Sequence, residues 1–255
     1  MNWSSQRKVI YGISVFTVVI AAFLYIFRDT LFPAPTCFDR KQNAHEGGID
    51  CGGTCSLRCT EEIIPLSVLW ARPLKTSLNK YDFVGMVSNK NIDNAPRSIS
   101  YLFTAYTDKG ETLLMATGTT IAPIDGDFPI VLQNITLLKD PKNVSLQITD
   151  GPHYSVSEKP TAPSVRVVNP HYESGTIPRV YATILNTKRV PIVNLPVRVV
   201  LFDVNNNAYG AGETVIPYLD KEGIQTISFT WDAPLAFPPA EIRVYPIFDP
   251  FTSAK

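Results

Sequence analysis

An uncharged apolar run near the amino terminus constrains this chain more than any other feature. Residues 9–27 read VIYGISVFTVVIAAFLYIF and contain no charged side chain. As a helix, these 19 residues would span about 28 Å, close to the thickness of the hydrocarbon core of a bilayer. Ser14 and Thr17 are small polar interruptions, and a helix satisfies such hydroxyls with its own backbone carbonyls. A buried helix of a soluble core would carry a polar face, which this run lacks. We therefore predict a transmembrane helix over residues 9–27.

A cleaved signal peptide is the alternative to a retained anchor, because Arg7 and Lys8 precede the run. The run is longer than the usual signal-peptide core of about 7–15 residues, and the bulky residues 25–28 provide no small-x-small cleavage site. These features favour an uncleaved signal anchor. Basic residues before the span predict that residues 1–8 are cytoplasmic and that the bulk of the chain is extracytoplasmic.

All four cysteines lie in a short segment that we predict to be a disulfide-rich module, residues 36–60. They are Cys37, Cys51, Cys55 and Cys59. An even, clustered set of cysteines outside the cytoplasm predicts two disulfides in a segment too small to build its own core. Three pairings are open. Zinc ligation is the alternative, although the C-x3-C spacings differ from the usual C-x2-C pairs.

Oxygen-bearing side chains between the first two cysteines form a candidate calcium site. The proposed ligands are Asp39, Asn43, Glu46 and Asp50. Calcium prefers such hard oxygen ligands, and the neighbouring glycines allow tight turns around an ion. The segment is not an EF-hand, because a lysine and an alanine occupy the third and sixth positions of the loop. The alternative is that these side chains cap turns inside a disulfide-bonded loop.

The pattern C-x-D-x3-N-x2-E-x-G-I-D-C-G-G-x-C-x3-C over residues 37–59 resembles a short motif of bacterial surface and secreted proteins. That motif is often found beside a membrane anchor or repeated β domains. Its usual form has glycine after the first aspartate, where this chain has Arg40. The resemblance implies a location in the cell envelope rather than an activity.

From residue 63 onward the sequence predicts an all-β structure. Short β-prone runs alternate with Asn, Asp, Gly and Pro, as in β-sandwiches. The predicted strands are 63–70, 81–88, 98–106, 112–121, 128–138, 144–149, 165–169, 179–185, 195–202, 208–215, 224–231 and 241–248. A proline-containing linker near residues 155–164 separates two predicted domains, residues 63–155 and 163–250.

The two predicted domains echo each other in sequence. The tripeptide ending at Asn89 matches the one ending at Asn186, and the tetrapeptide ending at Asp108 matches the one ending at Asp203. Such matches in the same order predict a duplicated unit of about 95 residues, with the polar residues stabilising turns at strand ends. Two sandwiches in line would reach about 80 Å from the membrane.

This arrangement resembles immunoglobulin-like and related extracytoplasmic β-sandwich modules of bacterial envelope proteins. The resemblance rests on the asparagine, aromatic-aspartate and glycine signature of the repeat, and it implies two tandem immunoglobulin-like β-sandwiches. Neither domain contains the intersheet disulfide of antibody domains, since all cysteines lie earlier in the chain. We predict that Trp70 and Trp231 are core residues, because packing alone must hold each sandwich.

The balance of charged residues and the sequence motifs argue against several classes of function. The chain has 23 basic and 23 acidic residues, which argues against a nucleic-acid partner. Phosphate-loop, zinc-protease and dinucleotide motifs are absent from the sequence, so we predict no catalytic residues, no required cofactor and no enzyme activity.

These features predict a membrane-anchored extracytoplasmic scaffold or adhesion protein that binds a protein or glycan of the cell envelope. One alternative is a non-catalytic subunit of a secretion or pilus-type assembly, whose anchor helix contacts partner helices. A second alternative is an extracytoplasmic hydrolase with carboxylates that converge only in the fold.

Overall fold

The computed structural model describes residues 3–27, 37–42, 46–53, 55, 59, 63–91, 96, 98–149 and 165–249. The chain forms two compact units, Met1–Cys59 and Thr60–Lys255. The first unit contains one helix and a disulfide-bonded segment, and the second contains the β-strands. The predicted all-β fold with one N-terminal helix is confirmed.

Helix α1 spans Trp3–Ile26 and contains the predicted apolar run except for its last residue, Phe27. Its segment Val9–Ile26 has a mean hydropathy of 2.4, and 0% of it is buried by the rest of the protein. The hydroxyls of Ser14 and Thr17 donate to carbonyls four residues earlier, at 3.0 and 2.9 Å, as predicted. The helix is long and apolar enough to cross a membrane, a property that it shares with signal sequences.

The described residues after the helix form twelve strands, one at each predicted position. They are β1 Ser67–Ser77, β2 Lys80–Asn89, β3 Ile99–Tyr106, β4 Thr112–Thr120, β5 Gly126–Thr136, β6 Asn143–Ile148, β7 Val165–Glu173, β8 Arg179–Asn186, β9 Ile192–Phe202, β10 Ala208–Leu219, β11 Ile224–Thr230 and β12 Glu241–Pro246. The largest difference concerns β1, which was expected at 63–70 and extends seven residues further along the chain.

The strands form four antiparallel three-stranded sheets. Strands β1–β6, called the first half, form the sheets β1-β2-β5 and β4-β3-β6. Strands β7–β12, called the second half, form the sheets β11-β8-β7 and β10-β9-β12. The halves have the same topology, because β7 to β12 repeat the pairing of β1 to β6 in order. The domain boundaries and the immunoglobulin-like class stay predictions, and the whole predicted linker, residues 155–164, lies outside the described residues.

Buried asparagines organise equivalent turns in the two halves. Asn89 ends β2, donates to the carbonyl of Pro123 at 2.8 Å and accepts the N–H of Asn91 at 3.0 Å. Asn186 ends β8, donates to the carbonyl of Asp220 at 2.9 Å and accepts the N–H of Lys188 at 3.0 Å. The predicted equivalence of Asn89 and Asn186 therefore has a physical basis, since each side chain replaces backbone partners inside a turn.

The second predicted match is displaced by one residue. Asp203 Oδ1 accepts the N–H groups of the residues two and four positions later, both at 2.8 Å. In the first half Thr107, rather than Asp108, plays this role: its Oγ1 accepts the N–H groups of Lys109 and Glu111 at 3.2 and 3.1 Å. A threonine hydroxyl and an aspartate carboxylate serve the same turn, which letter-by-letter comparison does not detect.

Each half has its own apolar core between its two sheets. The largest buried side chains of the first core are Phe83, Phe103, Phe128, Ile99 and Ile130. The second core contains Ile184, Leu195, Leu201, Ile216 and Trp231. The prediction for Trp231 is confirmed, whereas Trp70 is half-buried and packs against a third cluster.

The third cluster joins the halves face to face. The sheet β1-β2-β5 contributes Leu74, Val84 and Val131, and the sheet β10-β9-β12 contributes residues such as Val200 and Phe202. The central strands β2 and β9 therefore bury side chains on both faces. Two sandwiches in line, with a reach of about 80 Å, are not what the chain forms. Instead, the halves pack through the faces of these two sheets, so that the four sheets lie in successive layers.

A buried aspartate on β2 predicts a specific pH dependence of stability. Asp82 is 4% exposed, and its Oδ1 accepts the N–H of Asn134 at 2.9 Å where β5 bulges against β2. Burial raises the pKa of Asp82 above its ordinary value of 3.8, which outweighs the opposing hydrogen bonds. The folded protein therefore holds this proton to higher pH than the unfolded chain, so the carboxylate lowers stability as pH rises through the window above 3.8.

We expect the stability of Asp82→Asn, relative to wild type, to increase as pH rises from about 3.5 to 7. Urea unfolding at several pH values would measure this difference. Asp140→Asn is a control of opposite sign, because hydrogen bonds from Tyr81 and Lys75 lower the pKa of Asp140. Parallel pH profiles for wild type and Asp82→Asn would contradict the prediction.

Candidate functional site

The four predicted cysteines form two disulfides. Cys37 pairs with Cys55 and Cys51 pairs with Cys59, with Cα–Cα distances of 5.6 and 5.0 Å. This choice among three pairings depends on the fold of the segment, so sequence could not make it. Because all four sulfurs are in disulfides, none is available as a zinc thiolate.

Gly48 lies against the second disulfide, where the backbone leaves no space for a side chain. Its N–H donates to the carbonyl of Cys51 at 3.0 Å. A side-chain carbon at this position would come within 2.9 Å of the sulfur atoms of both Cys51 and Cys59. Only glycine lets the backbone approach the second disulfide this closely.

Asp50 acts as a turn cap at its described contacts. Its Oδ1 accepts the N–H groups of Asp39 and Arg40 at 2.9 and 3.0 Å, and its Oδ2 lies 2.9 Å from the Arg40 nitrogen. Arg40 has a φ of 59°, in the left-handed region that glycine adopts most easily. The contacts of Asp50 match the alternative in which the polar side chains cap turns.

Glu46 lies beside the first disulfide. Its Oε1 is 3.1 Å from the Cys55 sulfur, and the Glu46 residue is buried. Within the described part of the chain, the one group of three acidic, histidine or cysteine side chains with ligand atoms within 4.8 Å of one another is Cys37, Glu46 and Cys55. Two of its members are bonded to each other, so this group offers only one ligand atom of the kind that calcium prefers. Asn43 lies outside the described residues, and the calcium site stays a prediction.

A buried arginine lies at the junction of the two halves. Arg198 is on β9, and its Nε forms an ion pair with Glu213 on the neighbouring strand β10 at 2.5 Å. Its other two nitrogens cross to the first half, where they donate to the Pro129 carbonyl at 2.7 Å and to the Thr120 hydroxyl at 2.8 Å. The guanidinium thus links β4 and β5 of one half to β10 of the other.

Further polar and aromatic contacts lie at the junction of the halves. Arg72 of β1 donates to Asn207 of the second half at 2.9 Å. The Trp70 ring meets the Phe202 ring edge-on at 6.5 Å between centroids, and the guanidinium carbon of Arg243 lies 4.4 Å from the centroid of Phe202. Directional contacts in addition to apolar burial fix the relative orientation of the halves.

Arg198 was not predicted as a functional residue, although the sequence around it contains one indication of its buried position. The residue interrupts the apolar run LPVRVVLF, residues 195–202, in which a strand with one wet face would carry a polar residue at every second position. A continuous apolar run with a single charge indicates a strand buried on both faces, whose charge has a fixed partner.

A cleft of about 170 Å³ opens where β1, β10 and the loop after β11 meet. The Tyr209 hydroxyl donates to the Phe237 carbonyl at 3.1 Å, and Trp231 Nε1 donates to the Ala211 carbonyl at 3.1 Å. Burial raises the pKa of Tyr209 to about 12, so this hydroxyl stays protonated at physiological pH. The cleft is smaller than a typical small-molecule site of about 300–1,000 Å³, and it has room for a single side chain.

No family model matches the chain, and no curated protein matches it. Among solved structures, the chain is similar to the crystal structure of red sea bream transglutaminase, with 10% sequence identity and a TM-score of 0.24. The alignment covers 72% of this chain and 29% of the transglutaminase chain, so this chain spans less than a third of that protein. A likeness this weak supports no inference about activity.

Proposed function

We propose that this chain is a single-pass membrane protein that serves as a non-catalytic extracytoplasmic scaffold or binding protein of the cell envelope. The observation that carries the proposal is helix α1, of which 18 consecutive uncharged residues with a mean hydropathy of 2.4 have no protein cover. An apolar surface of this extent is unfavourable in water, and a bilayer would cover it. The two disulfides in the same unit support an oxidising compartment for the segment that follows the helix.

The joined halves support the scaffold role. A protein that holds a partner in a fixed orientation needs rigid elements. Two separate features make the junction rigid, the hydrogen bonds of Arg198 and the third apolar cluster. Binding a protein or glycan partner is part of the proposal and rests on the exposed loops and sheet edges of this β unit.

Fractionation and thiol labelling of the full chain in bacterial cells would test the proposal. We expect the chain to stay in the membrane pellet after alkaline carbonate extraction, with residues 1–27 retained in its intact mass. We also expect a membrane-impermeant maleimide to label the cysteines of intact cells only after reduction. A matched variant, Phe16→Arg with Val19→Arg, should leave the pellet, since each charge costs about 3 kcal/mol at the centre of a bilayer.

Three results would contradict the proposal. Release of the wild-type chain by carbonate would exclude an anchor, and loss of the first residues from the intact mass would indicate a cleaved signal peptide. Free thiols that react only after cell lysis would place the β unit in the cytoplasm.

A further inference from the structure

The edge of β4 is open, in contrast to the equivalent edge of the second half. Strand β10, the equivalent of β4, lies beside β11 of the facing sheet. In the first half the equivalent of β11 is β5, which contacts β9 and β10 of the second half instead. Among the described strands, β4 pairs with β3 alone, and no strand of the facing sheet lies along its other side. The junction of the halves therefore covers the end of β4 at Thr120, where Arg198 donates to the hydroxyl, and leaves the preceding part of this edge uncovered.

Between Leu114 and Gly118, strand β4 also lacks the features that protect sheet edges. Its sequence TLLMATGTT contains no proline and no charged residue, and its pairing with β3 is regular from Thr120 to Leu114. By contrast, the edge strand β7 contains Pro170 and a register shift. A regular, neutral edge strand with unused backbone donors and acceptors is a template for another strand.

The whole sheet that contains β4 is free of charge. Strands β3, β4 and β6 contain no Asp, Glu, Lys or Arg, whereas each of the other three sheets contains several. Depletion of charged residues is the compositional signal of the central part of protein interfaces. It also means that a second copy of this sheet meets no like charges.

We propose that two copies of this chain associate through antiparallel pairing of β4 with β4, which joins two three-stranded sheets into one six-stranded sheet. The proposal extends the scaffold function by naming one partner, but it rests on the strands alone and does not require the membrane anchor. A two-fold axis at Ala116 pairs residues 114–118 of the two copies, a stretch that excludes the register shift near Thr112 and the buried Thr120.

Side chains in this register are neutral on both faces of the sheet. Ala116 and Gly118 lie opposite Phe103 and Tyr101 of β3, so these positions of β4 face the core. With the axis at Ala116, Leu114 of each copy lies opposite Gly118 of the other, next to the Tyr101 ring that covers Gly118. On the outer face, the exposed Met115 lies opposite Thr117. Cross-strand pairs of neutral and β-branched side chains are favourable in antiparallel sheets.

Charge placed on β4 tests the pairing without disturbing the core. In the proposed register, the double variant Met115→Lys with Thr117→Lys places two pairs of like charges opposite each other across the axis. A matched control, Leu138→Lys with Val204→Lys, adds the same charge at loop positions that are 93% and 87% exposed. Sedimentation of the full chain in detergent would measure the dissociation constant of each protein.

We expect the wild type and the control to dimerise with similar affinity and the β4 variant to dissociate at least about tenfold more readily. The circular dichroism spectrum of each variant checks that the β unit is folded. Cross-linking is a second test that leaves the dimer intact. A short bis-maleimide should link the cysteines of two copies of Thr117→Cys, and it should not link two copies of Ser228→Cys on β11.

A wild-type chain that stays monomeric at micromolar concentration would overturn the proposal, and so would a dimer that the β4 charges do not weaken. Dimers that persist in the β4 variant but are lost in Phe16→Arg with Val19→Arg would assign association to the helix. Failure of the proposed membrane location is a separate outcome, because carbonate extraction detects it without reference to the oligomeric state.

Discussion

Replacement of Arg198 by alanine is expected to lower the free energy of unfolding of the β unit by about 3 kcal/mol. The Arg198 side chain is 7% exposed and forms hydrogen bonds in both halves. Its removal leaves the Pro129 carbonyl and the Thr120 hydroxyl without a donor and leaves the Glu213 carboxylate without its ion-pair partner. Each buried acceptor without a donor costs about 1–3 kcal/mol. The Glu213 side chain is 33% exposed and remains partly hydrated, so we expect the lower end of the range for broken buried ion pairs.

Urea unfolding followed by circular dichroism would measure this loss. Arg189→Ala is a suitable control, because Arg189 forms an ion pair with Glu222 in which the two side chains are 91% and 65% exposed. We expect that substitution to change stability by less than about 1 kcal/mol. The double variant Arg198→Met with Glu213→Leu should recover most of the loss, since it removes both charges together. Equal effects of Arg198→Ala and Arg189→Ala would show that Arg198 does not hold the junction.

The sequence predicted the strands well because their signal is local. Alternating β-prone side chains and polar turn residues act within a few positions, and Asn89 and Asn186 cap the same turn in both halves. The predicted β1 ended at residue 70, before the two charged residues Arg72 and Lys75. In the structure, Arg72 bonds Asn207 of the second half and Lys75 bonds Asp140. A charge whose partner is far away in sequence gives no local evidence of that partner.

The candidate site was less predictable for the same reason. The cysteines and the acidic residues were visible as a cluster, but the role of Asp50 depends on backbone N–H groups eleven and ten residues away. Side-chain chemistry alone does not distinguish a calcium ligand from a turn cap, because the same oxygens serve both. The packing of the halves through two sheet faces was also hard to predict, because it depends on contacts between strands that are distant in sequence. The one local indication was the apolar sequence on both sides of Arg198.

The second large effect concerns Ile247, which connects the halves through the end of the chain. It follows β12 of the second half, and its N–H donates to the Pro196 carbonyl at 2.8 Å. Its side chain is 1% exposed and belongs to the core of the first half. A residue held by one half therefore fills the core of the other.

We expect Ile247→Ala to lower the free energy of unfolding by about 3 kcal/mol, because truncation leaves a cavity in a close-packed core. Ile224→Ala is the matched control, since Ile224 is 69% exposed and should change stability by less than about 0.5 kcal/mol. Both variants would be compared with wild type by urea unfolding, with tryptophan fluorescence and far-ultraviolet circular dichroism recorded on the same samples.

The shape of the transition is as informative as its midpoint. Trp231 lies in the second core, so in a Trp3→Phe, Trp70→Phe background its fluorescence reports the second half, whereas circular dichroism reports the strands of both halves. If Ile247 and the Arg198 contacts couple the halves, the two signals should coincide in wild type and stay coincident at lower urea in Ile247→Ala. Two separate transitions in wild type would show that the halves unfold independently. In that case the loss in Ile247→Ala should be confined to the first half, and the rigid junction on which the scaffold role depends would be excluded.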